Sequence, residues 1–195
     1  MIPKFEHFVS LHHKSENDIQ QELQLIQAAK ENPLRFGVLY DRYYKSVFVF
    51  IYRRIEDEEV AADITSQVFL KALININKYV FKGVPFSAWL FRIAFNEINM
   101  YFRKHNAQRV VSLDQGGILQ IAQETESEEN PEGVKRMMEA LKKLDGDDLQ
   151  LIELRFFEKK SFAETGAIAG ITENNAKVKV YRILDKIRNI MGNRK

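Results

Sequence analysis

At 195 residues, 45% apolar and 29% charged, the chain has the length of one large or two small domains and the composition of a soluble globular protein. With no cysteine it holds no disulfide framework, thiolate nucleophile or cysteine–zinc site, and Arg53, Arg92 and Arg103 break its greasiest stretches short of the roughly 18 residues of a membrane span. Net charge is +2 and unevenly spread: 14 Lys/Arg face 12 Asp/Glu over residues 1–107, 1 faces 6 over 108–133, and 14 face 9 over 134–195. A basic C-terminal unit is thus tied on by an acidic strap, which suits a nucleic-acid footprint and equally a lysine-rich solvated surface.

Residues 1–14 contain His7, His12 and His13 but no long apolar core, so they are not expected to be a secretory signal; a cytoplasmic protein is expected. Ser15 can cap a helix carrying Ile19, Leu23 and Ile26, which Asn32-Pro33 ends. The next helix bears Phe36, Leu39, Tyr40, Tyr43, Val47 and Phe50. Asp57, followed by Glu58 and Glu59, starts a third helix with Ala61, Ile64, Val68, Phe69, Ala72, Leu73 and Ile76 as a broad buried face. A loop over 78–85 around Gly83 leads to an apolar helix from about Ser87 to Lys104. From Ser112 the periodicity dissolves: Gly116-Gly117, Glu124, Glu126, Glu128, Glu129 and Asn130-Pro131 have linker composition. Helical spacing resumes at Val134 with Met137, Met138, Leu141 and Leu144. The expected architecture is all-α: an extension over 1–14, a helical domain over 15–110, a flexible acidic linker over 111–133, and a second helical domain over 134–195.

Residues Ser161–Leu184 read SFAETGAIAGITENNAKVKVYRIL. A helix-turn-helix needs a small residue where two helices cross and, four residues later, a glycine able to take positive φ; Gly166 and Gly170 supply them. Thr172 can cap the second helix, Ala176 and Val180 face inward, and Lys177, Lys179 and Arg182 remain for phosphates. Leu149, Ile152, Phe156 and Phe157 form the supporting helix. The polar first turn, Thr172, Glu173, Asn174 and Asn175, suits base edges of duplex DNA.

Three further stretches carry a family likeness. NPLRFGVLYDRY (32–43), DITSQVFLKAL (63–73) and FSAWLFRIAFNEINMYFRK (86–104) precede this motif in order, the last with Trp89-Leu90, Arg92-Ile93-Ala94, Asn96 and Arg103. Together with residues 144–188 they resemble the extracytoplasmic-function (ECF) sigma factors of bacterial RNA polymerase. Departures stand at Ser66-Gln67, where the family usually has Gln-Glu, at Met100 in place of an Asp, and at Thr165 and Ala169 in place of larger aliphatics.

The resemblance implies core RNA polymerase and promoter DNA as partners, admits an anti-sigma factor as another, and calls for no cofactor and no catalysis. It gives polymerase binding to the line Asp63, Ser66, Gln67 and Lys71, for which a plain solvated face is the rival. It places −10 recognition on the loop residues Tyr79, Phe81 and Lys82, where a captured base needs an aromatic platform. The same two aromatics also suit simple closure of the core. Arg92, Asn96, Asn99 and Arg103 fall at helical spacing as a stripe without acids, since Glu97 lies off it, and form the expected −10 duplex surface. The C-terminal motif would read the −35 element, and the acidic linker would thread a basic polymerase channel. A stand-alone helix-turn-helix regulator explains the second domain but leaves the stripe and aromatic loop unused, and a protein-only adaptor leaves the recognition-helix charge unexplained. No paired acids, triad or glycine-rich phosphate loop points to an enzyme, and His12, His13 and His105 lack neighbours at metal-ligand spacing.

Overall fold

A computed structural model describes residues 16–105, 115–125 and 130–192. Among the described residues there are nine α-helices and no strand. Ser15 lies just outside them.

The first unit holds α1 (Glu16–Glu31), α2 (Gly37–Ile55), α3 (Glu58–Asn75) and α4 (Phe86–His105). Local chemistry sets each boundary. Asn32 accepts from the Leu34 N–H at the one-turn Pro33–Phe36 helix, and α2 ends on left-handed Glu56. The Asp57 carboxylate then accepts from the Val60 N–H to open α3, with Glu58 and Glu59 in its first turn. Leu39, Phe50, Ile51, Val68, Leu90 and Ile98 fill the core between these helices, each contributing about 1.5–3 kcal/mol by leaving water. Glu22, buried on α1, accepts from the Tyr43 hydroxyl and, at 3.0 Å, from the Phe86 N–H, so one carboxylate ties α1 to α2 and to the start of α4.

The second unit holds α5 (Gln115–Glu124), α6 (Pro131–Lys142), α7 (Gly146–Ile152), α8 (Phe162–Ala169) and α9 (Glu173–Met191). Asn130 caps α6 by accepting from the Gly133 N–H, with Pro131 in the first turn, so the helix starts three residues before the expected Val134. The end of α7 widens into a π turn, Glu153–Phe157. Ser161 and Glu164 form a reciprocal capping box on α8, Gly170 takes φ 76° between α8 and α9, and Thr172 caps α9. A Cβ on Gly166 would stand 2.9 Å from the Ile171 carbonyl oxygen, so the crossing needs glycine there. Thr165 is fully buried beside it, and its hydroxyl finds no partner.

One expectation meets a correction. Residues 115–124, placed in a structureless linker by composition, form α5, whose Ile118, Ile121 and Ala122 enter the second core. Gly117 lies so close to the Phe157 ring that a Cβ would come within 2.4 Å, and Arg188 donates to the Glu124 and Thr125 carbonyls at the helix end. Three apolar residues on one face outweigh the Gly-Gly pair once a partner surface exists. Glu126, Glu128 and Glu129 lie outside the described residues. The two units pack on each other: α4 meets α8, and Leu154 and Ile168 of the second unit enter the first core.

Candidate nucleic-acid interface

The exposed face of α9 is built by subtraction. Ala176, Val180, Ile183, Leu184 and Ile187 turn inward, which leaves Glu173, Asn174, Asn175, Lys177, Lys179 and Arg182 in solvent behind the exposed cap Thr172. The Thr172 hydroxyl accepts from the Asn175 N–H at 3.2 Å, fixing the first turn. Every residue expected on this surface is there. Two others were missed: Val178 and Tyr181 are 40% and 46% exposed, and Val178 stands one turn after Asn174, opposite the buried stripe. Their signal was present in the sequence, since both fall off the inward spacing.

On α4 the stripe is partly covered. Arg92, Asn96 and Arg103 are exposed, whereas Asn99 is half-buried and accepts from Gln150 Nε2 of α7 at 2.5 Å. Arg92 lies against the turn before α9, where a Cβ on Gly170 would stand 3.3 Å from its Nη2. Glu97 is off the stripe and accepts from the Lys71 ammonium at 2.6 Å.

In the loop the structure separates the aromatics. Tyr79 is core: it meets Phe86 and Trp89 edge-on at 5.1 and 5.3 Å, and its carbonyl accepts from Lys30. Burial first, then the Glu22 charge, push its hydroxyl up to about 12, so it stays a neutral phenol. Burial of its ring against Phe86 and Trp89 corrects its expected role as a base platform. Phe81 and Lys82 are exposed, beside exposed Val80. A cleft of about 800 Å³ runs from Lys82, Trp89 and Arg92 to Gly166 and Thr172 in the other unit.

On α3, Asp63, Ser66 and Gln67 form an exposed line, but Lys71 is turned toward Glu97 and is half-buried. The line continues instead through Leu70 and Ile74, 51% and 68% exposed, which the buried-face pattern had left over. Five such residues at helical spacing make a mixed apolar and polar strip suited to a protein partner. Among the described residues no His/Cys/Asp/Glu group gathers at metal-binding distance, and no helix is long and apolar enough to cross a membrane.

Two family models match the chain: Sigma-70 region 2 over residues 39–108 and Sigma-70 region 4 over residues 140–189, together more than half its length. The chain belongs to the sigma-70 family. It is an ECF-type sigma factor, a subunit that directs promoter-specific initiation by RNA polymerase. The ECF RNA polymerase sigma factor BldN of Streptomyces coelicolor is 27% identical over 185 residues, covering 91% of this chain and 68% of that protein. The ECF RNA polymerase sigma factor SigM of Bacillus subtilis is 25% identical over 152 residues, covering 77% and 91%. The fold is shared with CnrH, solved with the cytosolic domain of CnrY, at TM-score 0.55 and 20% identity over 89% of this chain and 98% of that one. RpoE of Bartonella quintana, solved with the anti-sigma factor NepR, gives TM-score 0.52 and 18% identity over 82% and 98%. In this sigma factor the region 2 match contains the loop, the α4 stripe and the α3 strip, and the region 4 match contains the helix-turn-helix.

Proposed function

We propose a division of promoter reading between named residues of this sigma factor. The first turn of α9 (Thr172, Glu173, Asn174, Asn175) with Val178 reads base edges of the −35 element, while Lys177, Lys179 and Arg182 hold its phosphates. Asn174 and Val178 lie four residues apart, about 6 Å along the helix, close to two base steps. An asparagine suits adenine and an exposed valine suits a thymine methyl. The stripe Arg92, Asn96, Asn99 and Arg103 engages the −10 duplex, and Phe81 with Lys82 receives an unstacked base. Asp63, Ser66, Gln67, Leu70 and Ile74 grip the polymerase clamp. The protein works in the cytoplasm without bond-making chemistry of its own, and an anti-sigma factor is a further partner, as CnrH and RpoE are solved with protein partners.

The observation that carries this reading is the exposed, basic, Thr172-capped face of α9 inside the region 4 match. Promoter selection from a randomised library, using core polymerase charged with this chain, tests it. Asn174→Ala and Val178→Ala should change the selected −35 sequence and leave the −10 sequence as it was. Asn96→Ala should do the reverse. A stand-alone regulator would instead select the same sites without polymerase.

A further inference from the structure

We infer that α1 completes the receiving site of the −10 loop: Lys30 and Glu22 are positioning residues that hold the loop at its two ends, and Gln24 and Gln27 line the groove in which the unstacked base is read. Resting on the assignment of Phe81 and Lys82 to base capture, this role falls to a helix that lies before residue 39, where the region 2 match begins. The Lys30 ammonium donates to the Tyr79 carbonyl at 2.8 Å, where the loop leaves α3. The Glu22 carboxylate, 2% exposed, accepts from the Phe86 N–H at 3.0 Å, where the loop enters α4. The two anchors stand eight residues apart, about 12 Å along α1. Between the held ends lie Val80 and Phe81, 67% and 37% exposed, and the turn at Gly83, whose φ is 75°.

A groove of about 510 Å³ opens between α1 and the start of the loop. Leu23 and Ile26 on the α1 side and Val80 and Phe81 on the loop side give it apolar faces, and Gln24 and Gln27 add carboxamides. A nucleobase matches that lining, with a flat body held by stacking and an edge of mixed donors and acceptors. Lys30 is the one charged residue along the groove, so among the described residues no acid there repels a nucleic-acid strand. Phe81 lines this groove, whereas Lys82 borders the larger cleft toward Arg92. A base stacked on Phe81 therefore leaves its phosphate to Lys82. With both ends of the loop held, the entropy of ordering it is lost on folding and not at the moment of capture.

The test uses the full chain with core polymerase. Lys30→Met keeps the reach of the side chain and removes its donors. It should slow open-complex formation on a duplex promoter about tenfold, the worth of one charge-assisted hydrogen bond. Affinity for core polymerase should be unchanged, and Lys30→Arg should restore the rate. A promoter already unpaired over the −10 element should remove most of the defect, whereas a variant that merely folds poorly is slow on both templates. In selection from a randomised library, Gln24→Leu with Gln27→Leu should change the base chosen at one −10 position and leave the −35 sequence as it was. Phe81→Ala is run beside them. Unchanged −10 selection with Phe81→Ala would overturn the base-capture reading and the role of α1 with it. A selection altered by Phe81→Ala but not by the glutamine pair overturns the role of α1 alone. So does a Lys30→Met variant that shows no defect, or one equally slow on the unpaired promoter.

Discussion

Asn174, Val178 and Arg182 stand along one exposed side of α9, and their chemistry separates sequence reading from charge. Asn174→Ala should cost about 1–3 kcal/mol on the cognate −35 site and relax its base preference. Arg182→Ala should weaken all sequences alike and flatten the salt dependence by about one charge. Titrating core polymerase holoenzyme onto matched and scrambled −35 duplexes at several salt concentrations distinguishes the two. Thr165 offers a prediction of another kind. Its buried hydroxyl has no partner, so Thr165→Val keeps the shape and removes the desolvation penalty. The variant should gain about 1 kcal/mol in thermal unfolding, and a loss would mean that the hydroxyl is satisfied in solution. At this scale the sequence was legible where spacing alone decides exposure, as at Asn175 and Lys179. It was not legible at Tyr79 and Lys71, because the neighbours that bury the one and pair the other come from α1 and α4.

Among the helices, the boundaries at Asp57, Thr172 and the Gly166–Gly170 turn were readable. Asp57, Thr172 and the Gly166–Gly170 pair each fix a boundary through an interaction within a few residues, and each lies where the pattern placed it. The helix α5 has no such local signal. Its Gly116-Gly117 pair and the acidic run after it are linker-like, and it is held by Ile118, Ile121 and Ala122 in the second core, by Phe157 against Gly117 and by the carbonyl contacts from Arg188. Gly117→Ala therefore makes a sharp test, since its Cβ would meet a buried aromatic ring. Overpacking of this kind costs about 1–3 kcal/mol. The expected result is a lower unfolding midpoint together with faster hydrogen exchange in α5, and unchanged exchange there would show the helix held by other means.

For the whole molecule, chain order carried the identification and long-range contact carried the arrangement. Four stretches in sequence, with a basic unit behind an acidic strap, were enough to suggest the family that the region 2 and region 4 matches establish. The docking of the two units left no trace in any local pattern. Arg54 and Glu153 are 99 residues apart, and each looks like an ordinary charged residue of its own helix until the seam is seen. The measurement closest to the central claim is run-off transcription by purified core polymerase on fragmented genomic DNA, with and without this chain. Discrete promoter-initiated transcripts that appear only with the chain are the predicted result, and a transcript pattern identical with and without it would contradict the account.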